Sequence, residues 1–231
     1  ALGLLARCLA AGTGAALRMT KQAVHPPNAP RVVVFAKAPL PGRAKTRLIP
    51  ALGAEGAARL ARRMLGHALA QAMAARVGAV ELCMSPGPED AAWHGVELPD
   101  RVQCTDQGDG DLGARMARAV HRVTTGPHGH PVLLMGTDCP ALTAGIIGEA
   151  AAQLARHDAV LVPVADGGYV LLGLRADCPD IFRDMAWSTA VVAAETRRRL
   201  AALGLNLWLG PTLNDIDEPA DRVHLPSEWE F

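Results

Sequence analysis

Aromatic side chains are nearly missing from this chain of 231 residues, at 3% of the total. Half of the residues are still hydrophobic, so a sizeable core is available, but Ala, Leu, Val and Gly must build it. A surplus of either charge is missing too: Lys plus Arg and Asp plus Glu stand at 23 each. That argues against a general nucleic-acid binder, which needs a basic excess on one face. The five cysteines are odd in number, widely spaced and without a C-x-x-C pair. They form neither a disulfide framework nor a zinc site, and they suit a reducing cytoplasm. The eight histidines make no H-x-x-x-H cluster, and no G-x-S-x-G elbow supports a serine hydrolase.

A membrane-spanning run is lacking as well. Ala1 to Leu17 is rich in Ala, Leu and Gly, but Arg7 and three glycines interrupt it. Arg7 also lies inside the apolar stretch, where an export signal would carry its charge ahead of it. Residues 1–29, closed by the linker K-Q-A-V-H-P-P-N-A-P, read as an N-terminal extension with Met19 as an alternative start. Residues 30–231 read as a single domain, of a size that suits one large α/β unit.

What is present is an alternation of strand and helix patterns. Short apolar runs at 31–37, 79–85, 102–105 and 132–136 read as buried parallel strands. Helical spacing covers 54–76, 111–123, 143–156 and 188–203, with Asp109 or Asp111, Thr143 and Ser188 as caps. Two further strands, 158–164 and 169–174, flank Ala165-Asp166-Gly167-Gly168, a spacing that closes a hairpin and makes part of the sheet antiparallel. A last strand falls at 205–209. The expected architecture is a mostly parallel sheet covered on both faces, with ligands at the carboxyl ends of its strands.

Two segments at that edge carry chemistry. F-A-K-A-P-L-P-G-R-A-K-T-R-L, from Phe35, packs Lys37, Arg43, Lys45 and Arg47 into eleven positions around Pro41 and Gly42. Lys and Arg beside turning backbone suit phosphate oxygens. The spacing from Gly42 to Lys45 is shorter than that of a P-loop, and prolines remove amides that such a cradle needs. M-G-T-D-C-P-A-L ends on Asp138, a lone acid at a strand terminus of the kind that Mg²⁺ or Mn²⁺ shares with substrate phosphates. Either Asp215 or Asp217 in N-D-I-D-E-P-A-D could reach the same ion, with Asp221 as a cap. Asp109-Gly110-Asp111 is a literal D-x-D, but helix capping explains it. Its neighbours Gln107, Gly113 and Arg115, with Asp111, are candidates for lining a substrate pocket. Asp166 could accept hydrogen bonds from sugar hydroxyls or act as a base, beside Gly167, Gly168 and the single tyrosine, Tyr169. Trp187-Ser188-Thr189 reads as a helix cap with an aromatic that could cover the pocket.

Taken in order, K-A-P-L-P-G-R-A-K-T-R-L, Q-x-x-x-D-L-G-x-R-M, G-T-D-C-P-A-L, D-G-G-Y-V-L-L-G-L and W-S-T resemble a bacterial glycosyltransferase-A-like family associated with arsenosugar biosynthesis. That family is related to the molybdenum-cofactor and phospholactate guanylyltransferases. The resemblance spans about residues 31–222. It implies a nucleotide-diphospho-sugar transferase fold, a three-layer α/β/α sandwich. It also implies Mg²⁺- or Mn²⁺-assisted transfer from an activated nucleotide, with Asp138 and Asp217 on the metal. Glu218 and Arg222 depart from the family pattern and keep Asp215 in contention.

The expected protein is thus a cytoplasmic transferase. It would use a nucleotide-activated small molecule, with no nucleic acid or membrane partner. Glycosyl transfer is the first reading and nucleotidyl transfer with pyrophosphate release the second. A non-catalytic nucleotide-binding domain is the third. The motifs leave the acceptor and the oligomeric state open.

Overall fold

The computed structural model describes residues 29–229. The expected extension, residues 1–29, therefore lies outside the described residues but for its last position.

The β-branched run Arg31–Lys37 forms β1, followed by the basic loop and the long helix α1 (Ile49–Ala74). Gly53, at φ 69°, breaks α1, so its regular part begins at Ala54, where helical spacing places it. After β2 (Val80–Ser85) and β3 (Gln103–Asp106) comes α2 (Leu112–Thr125), whose Asp111 side chain accepts from Ala114 N. That bond satisfies one of the amide donors a helix start leaves open. Strand β4 (Val132–Met135) leads to α3 (Ala144–Leu154), capped by Thr143 in the same way. Strands β5 (Ala159–Pro163) and β6 (Tyr169–Leu174) form the hairpin, and α4 (Val192–Ala202) and β7 (Leu207–Leu209) complete the fold.

One helix start differs from expectation. Helix α4 opens at Val192, four residues after Ser188, and takes no side-chain cap. Ser188 sits at φ 62°, in the left-handed region, and Thr189 donates to Ala186 O within the preceding loop. The W-S-T segment therefore forms a loop in front of α4.

The seven strands lie in the order β3-β2-β1-β4-β6-β5-β7. All pair in parallel except β6, which runs against both β4 and β5. Alternate side chains of β1 feed the two faces. Val32, Val34 and Ala36 pack with Leu65 and Leu69 of α1 and Ile147 and Leu154 of α3. Val33 packs with Met116 and Val120 of α2 and Ala193 and Leu200 of α4. The result is the expected three-layer sandwich. The chain winds outward from β1 to β3, then returns to β4 on the other side of β1. Strands β1 and β4 thus flank the switch in strand order, whose carboxyl ends form the crevice of such sheets.

Fully buried Glu81 ties three strands and a helix together. It accepts from Arg122 of α2, from Thr105 of β3 at 2.7 Å and from Arg31 of β1 at 3.4 Å. Burial pushes its carboxyl up, but the Arg122 and Thr105 hydrogen bonds outweigh this and hold it below the usual range.

Candidate functional site

At the carboxyl ends of β1 and β4 lies a cleft of about 720 Å³. The basic loop forms one wall. Its backbone turns on Gly42 (φ 74°) and Lys45 (φ 49°), and the amides of Arg43 and Ala44 both donate to Leu40 O. A left-handed lysine costs about 1–2 kcal/mol and persists only where its surroundings hold it. What holds Lys45 is its side chain, which is only 8% exposed. The ammonium lies 2.6 Å from Asp138 Oδ1 and 2.9 Å from Asp217 Oδ1, and donates to Ile216 O at 2.6 Å. Burial pulls its pKa down, but the two carboxylates more than reverse this, so it stays charged with its pKa above the ordinary lysine value.

The two acids come from distant segments that the backbone joins directly, through Ile216 N donating to Asp138 O at 2.8 Å. Asp221 then fixes the turn after Asp217: its Oδ2 accepts from the amides of Asp217 and Glu218 at 2.9 and 2.7 Å. Of the two aspartates left open by the sequence, Asp217 shares the lysine with Asp138. Asp215 lies in the same cleft in a different state. Burial first, then the charges of Asp166, Asp217 and Asp138, push its carboxyl up to about 6. A raised carboxyl pKa costs stability once the group ionises, so the penalty is small below about pH 4 and complete above the folded pKa. In metal-free buffer, Asp215→Asn should raise the melting temperature at pH 8 and leave it nearly unchanged at pH 3.5. Equal shifts at both pH values would show that Asp215 is not repelled.

The opposite wall is held by hydrogen bonds. Gln107, expected at the pocket surface, is buried, and its Nε2 donates to Ala36 O and Cys83 O at 3.1 and 2.9 Å. It latches the ends of β1 and β2, leaving Oε1 to accept from Arg115 at 3.4 Å. Arg115 also donates to Gly110 O and Ser85 Oγ. Asp111 lines the cleft while it caps α2, and capping accounts for the D-x-D. Trp187 packs onto the start of α2 so closely that a Cβ at Gly113 would sit 2.9 Å from its Nε1.

At the hairpin, Asp166 Oδ1 accepts from Gly168 N at 2.8 Å, and the half-buried Tyr169 follows with its hydroxyl turned inward out of solvent. Gly167, at φ 93°, lies against the loop before α4, where a Cβ would come 2.1 Å from Ala190 O. Backbone cannot yield as a flexible side chain does. Gly167→Ala should therefore lower the melting midpoint by roughly 3–10 °C, from about 1–3 kcal/mol of strain. A melt unchanged within error would mean that the loop shifts freely.

Most of the residues singled out from the sequence do line this cleft: Lys37, Arg43, Lys45, Arg47, Gln107, Asp111, Arg115, Asp138, Asp166, Gly168, Tyr169, Trp187, Ser188, Thr189, Asp215 and Asp217. Pro41, Gly42, Gly113 and Gly167 do not; they shape the backbone behind it. Sequence reading missed the Ile216 carbonyl, Ser85 and Thr137, whose hydroxyl lies 3.4 Å from Asp138 Oδ1. A backbone acceptor leaves no mark on residue type. Among the described residues, no three His, Cys, Asp or Glu side chains gather closely enough to hold a metal by themselves. No helix among them is long and apolar enough to cross a membrane.

A profile of the family described as "Uncharacterized protein conserved in bacteria (DUF2064)" matches residues 68–189. The chain belongs to this family. The matched segment runs from the last two turns of α1 to the W-S-T loop. It takes in Asp138, Asp166 and Tyr169 but not Lys45 or Asp217. No curated protein matches the chain. Among solved structures, a Desulfovibrio desulfuricans G20 protein, named provisionally as a nucleotide-diphospho-sugar transferase, is 31% identical, with 83% of each chain covered and a TM-score of 0.75. Rv0371c of Mycobacterium tuberculosis H37Rv is similar at 17% identity, over 86% of this chain and 99% of its own, with a TM-score of 0.56. The 4-diphosphocytidyl-2C-methyl-D-erythritol synthase of Anaerococcus prevotii is 10% identical, over 84% and 96%, with a TM-score of 0.52. The last two speak for the fold alone. The fold is that of the nucleotide-diphospho-sugar transferases, as the sequence motifs imply.

Proposed function

We propose that this protein is a transferase that takes an activated nucleotide at the carboxyl edge of the sheet. In this reading it passes a glycosyl group to a small acceptor, with a divalent metal at Asp138 and Asp217. The observation that carries this is the meeting of Lys45 with Asp138 and Asp217, the latter 172 positions away, in a cleft rimmed by further cations. The likeness to the Desulfovibrio desulfuricans protein supports the same class.

The donor set suits the metal. Two carboxylate oxygens and a backbone carbonyl converge on one cation, here the lysine ammonium, and all three are hard oxygen donors. Mg²⁺ typically takes one or two carboxylates and leaves its other positions to water and phosphate, which fits a site of two acids. Such an ion would neutralise charge on the diphosphate as the leaving group departs.

Other roles fall to the chain itself. Lys37, Arg43 and Arg47 are exposed, and none makes an ion pair among the described residues, so their charge is available to phosphate oxygens. Arg115, anchored by Gly110 O, Ser85 and Gln107, is held in place to meet an anion without rearranging. The Trp187–Thr189 loop and Tyr169 wall off the acceptor side. Asp166 and Asp215 are the carboxylates placed to take a proton from an acceptor hydroxyl. Burial, the largest cause of the raised Asp215 pKa, does not depend on a metal and moves this carboxyl in the direction that a base needs.

Three exposed cations in one loop also suit a triphosphate, which keeps nucleotidyl transfer as the second reading. Calorimetry with UDP-sugars, GTP and CTP, each with and without Mn²⁺, tests the class. Binding that needs Mn²⁺ is expected, and no binding of any nucleotide would end the proposal. Release of pyrophosphate from a triphosphate would decide for nucleotidyl over glycosyl transfer.

A further inference from the structure

An ammonium group has three N–H donors and no acceptor. In Lys45 all three have partners: Asp138 Oδ1 at 2.6 Å, Asp217 Oδ1 at 2.9 Å and Ile216 O at 2.6 Å. None is left for a phosphate oxygen. The residue that sequence reading assigns to phosphate is engaged with the carboxylates assigned to metal. Both roles cannot be filled in the arrangement seen, so one set of contacts must give way.

Exposure shows which side an incoming cation meets. The two carboxylates are open to the cleft, at 48% and 38%, while the lysine reaches them from beneath at 8%. A cation arriving from solvent meets the acids first and competes with the ammonium for the same two oxygens. The lysine stem is unbranched and flexible, so the ammonium can swing away, and its departure also removes the contacts that hold the left-handed backbone of Lys45. Once displaced, it would be a poorly solvated charge with one carbonyl for company, until an anion arrives.

We propose that Lys45 is a built-in counter-ion that keeps the Asp138–Asp217 pair closed in the ligand-free protein. A divalent cation enters by displacing the ammonium, which is then free to take a phosphate oxygen. The inference rests on the carboxylate pair being the metal site of the proposed function. It adds that the ligand-free protein binds the metal weakly, and that Lys45 is the reason. Charge accounts for the sequence of events. Two carboxylates with one ammonium carry a net −1; with a divalent ion they are neutral, and the released +1 meets the anionic nucleotide. Metal and nucleotide should then assist each other's binding, as reciprocal linkage requires.

The test is a titration with Mn²⁺ alone, read by the paramagnetic resonance signal of the free ion, without nucleotide or turnover. Wild type, Lys45→Met, Asp138→Asn and Asp217→Asn are compared. Lys45→Met should bind Mn²⁺ at least about tenfold more tightly than wild type, within the usual range of coupling between sites. Either Asp→Asn change should weaken binding. If both Asp variants weaken Mn²⁺ binding but Lys45→Met binds no tighter than wild type, displacement is wrong and the metal site stands. If neither Asp variant alters binding, the metal site itself is wrong and this proposal goes with it.

A second measurement uses the native chain, in case Lys45→Met does not fold. The Lys45 ammonium is followed by ¹⁵N-resolved NMR, assigned by its loss in Lys45→Arg, while Mg²⁺ is added. A shift with faster exchange against water as Mg²⁺ saturates is expected. A signal that stays put at saturation overturns the proposal.

Discussion

Asp138→Asn should lower transfer turnover by about 10²–10³-fold at saturating nucleotide and Mn²⁺. That is the scale observed when one group stabilising transition-state charge is removed. Asparagine keeps the shape and one oxygen but loses the negative charge that a divalent ion needs, so the loss belongs to chemistry more than to packing. Folding should survive, because the structural contact of this residue is its backbone carbonyl, which accepts from Ile216 N. The lysine also keeps Asp217 and Ile216 O as partners. The measurement is turnover as a function of Mn²⁺, together with a thermal melt. A variant with a native melt and turnover within threefold of wild type would remove Asp138 from the metal.

Lys45→Ala should weaken nucleotide binding in the presence of Mg²⁺ by about 1.5–3 kcal/mol, the range for hydrogen bonds to charged groups. That is roughly 10–150-fold in affinity. It follows from the ammonium's new role once the acids are neutralised, when its freed N–H groups face the cleft. The same substitution removes the counter-ion from two carboxylates, so the melt is best taken with Mg²⁺ present. Lys45→Arg is a useful companion, since a planar fork cannot place three donors on three converging oxygens as a point charge does. Calorimetric titration of nucleotide into each variant reads the effect directly. An affinity change within about 0.5 kcal/mol, the usual scatter for surface substitutions, would return Lys45 to a purely structural role. With the expected results, one residue shows opposite signs in two assays. Its removal strengthens binding of the metal alone and weakens binding of the nucleotide.

The site was partly legible because its parts lie at the ends of regular elements. Lys37 ends, and Asp138 follows, a short apolar run of the kind expected of a buried strand, which places both at one sheet edge. Asp111 was legible as a cap, since a carboxylate just ahead of an amphipathic helix satisfies open amides whatever surrounds it. Ser188 was misread by the same logic. A hydroxyl before a helical pattern resembles a cap, but the close approach of Gly167 to Ala190 holds the chain in a loop for four more residues. Gln107 was placed at the cleft, which is correct. Its work there, bridging Ala36 O and Cys83 O, depends on two strands that only pairing brings together.

By itself, then, the sequence determined what arises from near neighbours. Strand and helix periods, turns closed by glycine, two of the helix caps and the density of cations in one loop all act over a few residues. Their energies do not depend on the rest of the chain. Tertiary structure alone decided that Asp217 and not Asp215 shares Lys45 with Asp138. It also decided that Asp215 is pushed up to about 6 by burial and three neighbouring acids, and that the lysine expected at phosphate is held by carboxylates. Those outcomes follow from distances of a few ångströms between segments up to 172 positions apart. Coulomb and desolvation energies change steeply over such distances, while residue spacing along the chain carries no record of them.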